Sequence, residues 1–222
     1  LTDLSPSSPP PEPLPPAEEP MFRLPPVTGW LIAINVLIQI VRGFLPLDRD
    51  DLLVNNLGFH ASSIYGHIGA LDLIALVTYQ FLHGGWDHLA INMVSLLAFG
   101  AGVERPLGKL RYLIIYIFTG IAGALLESVF ASPTGDDLLI GASASISGVF
   151  GALMVIWGLY SRGNNPMGAL RMALLWIVLM AVTGILGVGA PQGTPVAWIA
   201  HIGGFLAGIA FGFAFRPRVL RL

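Results

Sequence analysis

The stretch Gly141-Ala142-Ser143-Ala144-Ser145-Ile146-Ser147-Gly148-Val149-Phe150-Gly151 decides the fold. It belongs to an apolar run from Ile140 to Tyr160, about the 20 residues a helix needs to cross a bilayer. Five further runs share this character: Thr28–Leu45, Asp87–Val103, Leu110–Phe130, Ala169–Leu186 and Ala197–Phe215. Prolines 46, 106, 133, 166, 191, 195 and 217 are read as falling between or after the runs, where helix breakers belong. The pattern predicts an all-α membrane protein of six transmembrane helices.

Composition agrees. Hydrophobic residues make up 55% of the chain and charged residues 11%, against about 25% charged in soluble domains; the mean hydropathy is +0.75. The net charge is -2, and no basic helix with interleaved aromatics suggests nucleic acid as a partner. There are no cysteines, which excludes disulfides, a thiol nucleophile and cysteine-ligated metal.

Residues 1–26 hold ten of the seventeen prolines and are expected to form a disordered, Pro-rich cytoplasmic tail. No basic segment precedes an apolar stretch there, as a secretory signal would require, and the tail is acidic and nearly free of Arg, unlike a mitochondrial presequence. Residues 27–216 form the predicted membrane domain, and 217–222 a short basic cytoplasmic tail. The long connection 46–86 carries Asp48, Asp50, Asp51, His60, His67 and Asp72; its apolar piece Leu71–Leu82 is too short to cross. It is expected to lie partly embedded at the interface, between the first and second helices.

Lys and Arg orient the bundle. With the N-terminus inside, Arg23, Arg105, Lys109, Arg111, Arg162, Arg171, Arg216, Arg218 and Arg221 fall on the inner side, and only Arg42 and Arg49 outside. Both termini are therefore expected in the cytoplasm, and a bacterial inner membrane is the expected location.

In that topology the second, fourth and sixth helices all run inward. His88 and Asn92, Ser143, and His201 stand near their starts, so the unusual polar residues gather at one height in the outer half. Polar side chains at membrane depth are costly and mark functional sites. Ser143, Ser147 and Gly151 share a face of the fourth helix, and Gly204, Gly208 and Gly212 a face of the sixth. Small residues permit close approach, so these stripes are expected to meet and bring Ser143 to His201.

Serine becomes a nucleophile when a base takes its proton, and His201 is the expected base. No acid lies near it in sequence, and Glu127 is the one acid inside a run away from its ends, so a dyad is expected rather than a triad. The first turn of the fourth helix offers free backbone N–H groups; Asn92 and His88 offer side-chain donors for an oxyanion. Ser145 and Ser147 compete with Ser143, although Ser145 points off the shared face and Ser147 lies a turn deeper.

Four elements, Phe81-Leu82-His83-Gly84-Gly85-Trp86-Asp87-His88-Leu89-Ala90-Ile91-Asn92-Met93, Gly102-Val103-Glu104-Arg105-Pro106-Leu107-Gly108, Gly141-Ala142-Ser143 and Ala200-His201-Ile202-Gly203-Gly204, resemble the rhomboid intramembrane serine proteases in order and placement. The likeness covers about Thr28 to Phe215. It implies a rhomboid-like bundle and a serine endopeptidase cutting single-span transmembrane protein substrates near the outer face of the lipid bilayer, with no cofactor or metal. By resemblance, Ser143 is the nucleophile, His201 the base, and His88 and Asn92 bind the oxyanion. His83 is then a structural or water-handling residue, and Glu104, Arg105 and Gly108 support the turn between the second and third helices. The outer ends of the second and fifth helices and the loop before the sixth gate substrate entry. Two positions depart from the family pattern: Ala144 stands where glycine is frequent, and Ser147 where an aromatic often stacks on the histidine.

Two other classes fit less well. A membrane chaperone or adaptor derived from this family typically lacks the serine or the histidine, and both are present. For a transporter or metal protein, His83 and His88 are five apart, which suits no single helical face. Nor does the sequence hold an H-E-x-x-H motif or an evident inverted repeat.

Overall fold

Prolines and glycines set the helix ends. In the computed structural model, which describes residues 24–66, 68–135, 137–160, 165–186 and 197–215, α1 (Pro26–Arg42) and α7 (Pro166–Leu186) both start on proline. At that position the missing N–H would have been unpaired anyway. α2 (Leu47–Leu57) follows Pro46 and places Asp48 and Asp50 in its first turn, near the positive end of the helix dipole. α4 (Trp86–Leu107) and α5 (Lys109–Phe130) are joined at Gly108, whose φ of 84° favours glycine. α3 (Ala70–Thr78), α6 (Ser143–Val155) and α8 (Trp198–Ala214) complete the set.

The six apolar runs coincide with α1, α4, α5, α6, α7 and α8. Of these, α4 and α5 are long and apolar enough to cross a membrane on length and composition alone, and the others are shorter apolar helices. α2 and α3 lie in the long connection, where a tight turn of helix, Tyr79–Phe81, follows α3.

Several boundaries differ from the sequence reading. α4 continues past Val103 through Pro106, which therefore sits inside a helix and not between runs. So close to the end, proline disturbs little of the ladder, and the Gly108 N–H closes the helix on the Glu104 carbonyl at 2.8 Å. A short strand stands just before the fourth run. β2 (Leu138–Leu139) pairs antiparallel with β1 (Phe59–His60), Phe59 opposite Leu139, and α6 starts only at Ser143. Its far end widens into a π-helical turn, Ile156–Tyr160.

α6 is the central element, with Ala144 to Ala152 buried on every side. It runs alongside α8 in a seam narrower than ordinary side chains allow. Gly204 faces the backbone of Ala144, Gly208 faces that of Gly148, and Gly151 faces the Phe205 carbonyl. The glycine stripe of α8 is the expected one. The matching face of α6 is turned by about one residue, to Ala144, Gly148 and Gly151, because backbone-to-backbone approach selects the smallest side chains; Ser143 and Ser147 flank it. Large apolar side chains such as Trp30, Leu37, Phe118, Leu175 and Val178 are exposed on the outside, as suits a surface facing lipid.

The expected N-terminal tail up to Arg23, the C-terminal tail from Arg216, His67, Asp136, Arg162 and most of the loop before α8 lie outside the described residues.

Candidate active site

Gly141 prepares the site. Its φ of 119° lies in the region that favours glycine, and its N–H donates to the Tyr79 carbonyl at 2.9 Å. A methyl group there would lie 2.7 Å from His88 Cε1 and 3.8 Å from Asn92 Nδ2. The turn so formed delivers Ser143 as the first residue of α6, where the backbone N–H groups have no partners within the helix.

Ser143 Oγ lies 2.7 Å from His201 Nε2, joining α6 to α8. His201 is buried, and its Nδ1 has no hydrogen-bonding partner. Glu127, the acid inside the third run, is engaged elsewhere: its Oε2 accepts the Ala200 N–H at 2.7 Å. It thus caps the helix that carries the histidine, at the residue preceding it. No carboxylate contacts the imidazole among the described residues, so the pair is a dyad in geometry.

The other two polar residues of the outer cluster converge on the same turn. His88 Nδ1 accepts the Gly84 N–H at 3.3 Å, which leaves the proton of the neutral ring on Nε2, beside Gly141. Asn92 is buried, and its Nδ2 donates to nothing. Buried donors are nearly always paired in native proteins, so two N–H-bearing side chains, one of them idle, stand against the turn that precedes the serine.

A shell behind them fixes the connection. Arg42, which the sequence places at the outer end of the first run, is buried in the last turn of α1. Its guanidinium meets Asp50 through Nε at 2.7 Å and Nη2 at 3.0 Å, and Nη1 donates to the His83 carbonyl at 2.6 Å. The His83 ring is fully buried, edge-on to His88 with centroids 5.1 Å apart. Burial first, then His88 and Arg42, push its pKa down to about 3, so it is neutral. Glu104 does not spend its carboxylate on the α4–α5 turn. It accepts the N–H groups of Val27 and Thr28 at 2.9 and 2.8 Å and the Thr28 hydroxyl at 2.8 Å, capping α1. Arg105 occupies the last turn of α4.

The competing serines are distinguished by surroundings. Ser145 donates its hydroxyl to Gln80 Oε1 at 2.9 Å, and Ser147 is buried with its hydroxyl unpartnered; neither meets the histidine. Sequence reasoning passed over Gln80, Arg42 and Asp50. For Gln80 a signal existed, a lone amide inside the apolar piece Leu71–Leu82. For Arg42 and Asp50 none did, since charged residues at a helix end and in a loop are ordinary.

The rhomboid domain model matches residues 70–218. RHOMBOID-like protein 5 of Arabidopsis thaliana is 36% identical over 147 residues, covering 64% of this chain and 44% of that protein. The putative rhomboid protease YdcA of Bacillus subtilis (strain 168) is 26% identical over 198 residues, 86% of this chain and 89% of that protein. Inactive RHOMBOID-like protein 8 of Arabidopsis thaliana is 27% identical over 212 residues, 80% of this chain and 57% of that protein. The chain spans half or less of the length of the first plant relatives it matches.

Proposed function

The chain belongs to the rhomboid family of helical membrane proteins, and from that premise we propose that it is an active intramembrane serine endopeptidase. Its substrates are single-span transmembrane proteins, cut near the outer face of the bilayer. The observation that carries this reading is the 2.7 Å contact between Ser143 Oγ and His201 Nε2, made by residues on two helices held together by glycine.

In the proposed reaction His201 Nε2 takes the hydroxyl proton as Ser143 Oγ attacks the scissile carbonyl carbon. The carbonyl oxygen becomes an oxyanion, which the Ser143 N–H, Asn92 Nδ2 and His88 Nε2–H stabilise. The C–N bond breaks as His201 returns the proton to the leaving amine, leaving an ester on Ser143. Water then attacks the ester, giving up a proton to His201, and the serine is restored. His201 works without a carboxylate against its ring, and the cap that Glu127 places on α8 supports its position. The asymmetry of Lys and Arg supports cytoplasmic termini, and a bacterial inner membrane is the proposed setting.

The test is cleavage of a transmembrane reporter in proteoliposomes, with labelling by a fluorophosphonate. Wild type is expected to cleave and to label; Ser143→Ala is expected to do neither, and His201→Ala to lose cleavage. Cleavage retained by both variants overturns the assignment. A wild type that binds the reporter helix without cutting it or labelling identifies a helix-binding relative instead.

A further inference from the structure

The buried amide of Gln80 has no part in the dyad or the oxyanion donors, yet it joins three elements behind them. It is fully buried in the tight turn after α3. Its Nε2 donates to the Leu76 carbonyl at 2.9 Å and to the Ile117 carbonyl of α5 at 3.2 Å. Its Oε1 accepts the hydroxyl of Ser145 at 2.9 Å. Ser145 is also fully buried and lies two residues after Ser143, in the same first turn of α6. Thr119 Oγ1 reaches the Ser145 carbonyl at 3.3 Å. Gly120 has no side chain because Gln80 and Ser145 Oγ fill the space a Cβ would take.

The first turn of α6 is therefore held from two sides. The seam with α8 sets its distance from His201 but consists of backbone and small side chains. Beyond the Ser143–His201 hydrogen bond itself, such packing is not directional and restrains rotation of α6 about its axis weakly. The hydrogen bond from Ser145 to Gln80 is directional, and its far end is anchored in two other elements. We propose that Gln80 is a positioning residue for Ser143: through Ser145 it fixes the rotation of the first turn of α6, and so the aim of the nucleophile and of its backbone N–H. This inference rests on the proteolytic reading above.

A misplacement on the scale of 1 Å at a reacting centre costs up to about a hundredfold in rate, so the effect belongs in kcat. Ser145→Ala deletes one oxygen and leaves the Gln80 shell in place; Gln80→Leu removes the whole anchor. Both are measured for kcat and KM on the reporter and for the rate of fluorophosphonate labelling, with melting temperature as the control for folding. The expected result is a fall in kcat and labelling rate of about tenfold or more per folded molecule, with KM little changed. The double variant should be no worse than the more impaired single one, because both act through one bond. Ser145→Ala is decisive if Gln80→Leu is unstable. Variants that lower the melting temperature but keep wild-type kcat and labelling per folded molecule overturn the inference and leave the protease assignment intact. A wild type that neither cleaves nor labels overturns both.

Discussion

Asn92 and Gly141 are the two residues whose replacement discriminates most sharply, because each has one property no neighbour supplies. The Asn92 amide is buried and idle, and an idle buried donor is costly unless something uses it. Asn92→Ala is expected to lower kcat about 10²- to 10³-fold, as for other oxyanion donors, with a small change in KM; an unchanged kcat would remove Asn92 from the site. Gly141→Ala is expected to be nearly inactive even when folded. Its φ is unfavourable for alanine, and the methyl would press on His88; labelling of a folded variant at the wild-type rate would contradict this. His83 yields a pH prediction. Its folded pKa, lowered to about 3 by burial and by His88 and Arg42, lies below the unfolded value near 6.5. Between those values the unfolded chain binds the extra proton, so stability falls as pH drops from about 6.5. Thermal melts of His83→Gln across that range should show a shallower acid decline than wild type. At this scale the meeting of Ser143 with His201 was legible, because a serine and a histidine in apolar runs have few other uses. Gly141 was visible but its conformation was not, since φ is set by the strand before it and the helix after it.

Among the elements, α8 shows how a helix is aimed. The Glu127 carboxylate on the Ala200 N–H satisfies one of the free donors of its first turn and complements the helix dipole. Glu127→Ala is expected to cost about 0.5–2 kcal/mol, the range for lost caps, and to lower kcat with it. Glu127→Gln, which keeps an acceptor, should recover most of both in paired melting and rate measurements. The α6–α8 seam gives a harsher outcome. A side chain at Gly208 would collide with the Gly148 carbonyl, so Gly208→Val must force the helices apart. Overpacking typically costs 1–3 kcal/mol, and a rigid backbone neighbour places this site at or above the upper end, read as a lost melting transition or a loss of labelling. The helices themselves were legible from the length of the apolar runs. The β1–β2 pair was not: Leu138-Leu139, two apolar residues just before the fourth run, carry no strand pattern of their own, and only distant Phe59 and His60 make them a strand.

The molecule as a whole is knit by polar contacts between segments far apart in sequence, and these were least visible beforehand. Hydropathy reports which residues avoid water. It does not report that Glu104 reaches back to α1, that Arg42, paired with Asp50, holds the His83 carbonyl, or that Gln80 reaches α6, because each depends on a partner chosen by tertiary packing. Those contacts also separate two boundaries that are easily equated. The match to the rhomboid domain model begins at residue 70, after α1 and α2. Yet Glu104 would lose all three of its α1 donors in a fragment starting there, and the His83 carbonyl would lose Arg42. A buried carboxylate stripped of its partners costs several kcal/mol, a large share of what holds a domain together. Residues 24–69 are thus less a preface to the domain than its keystone: the smallest body that folds on its own should be larger than the stretch the domain model matches.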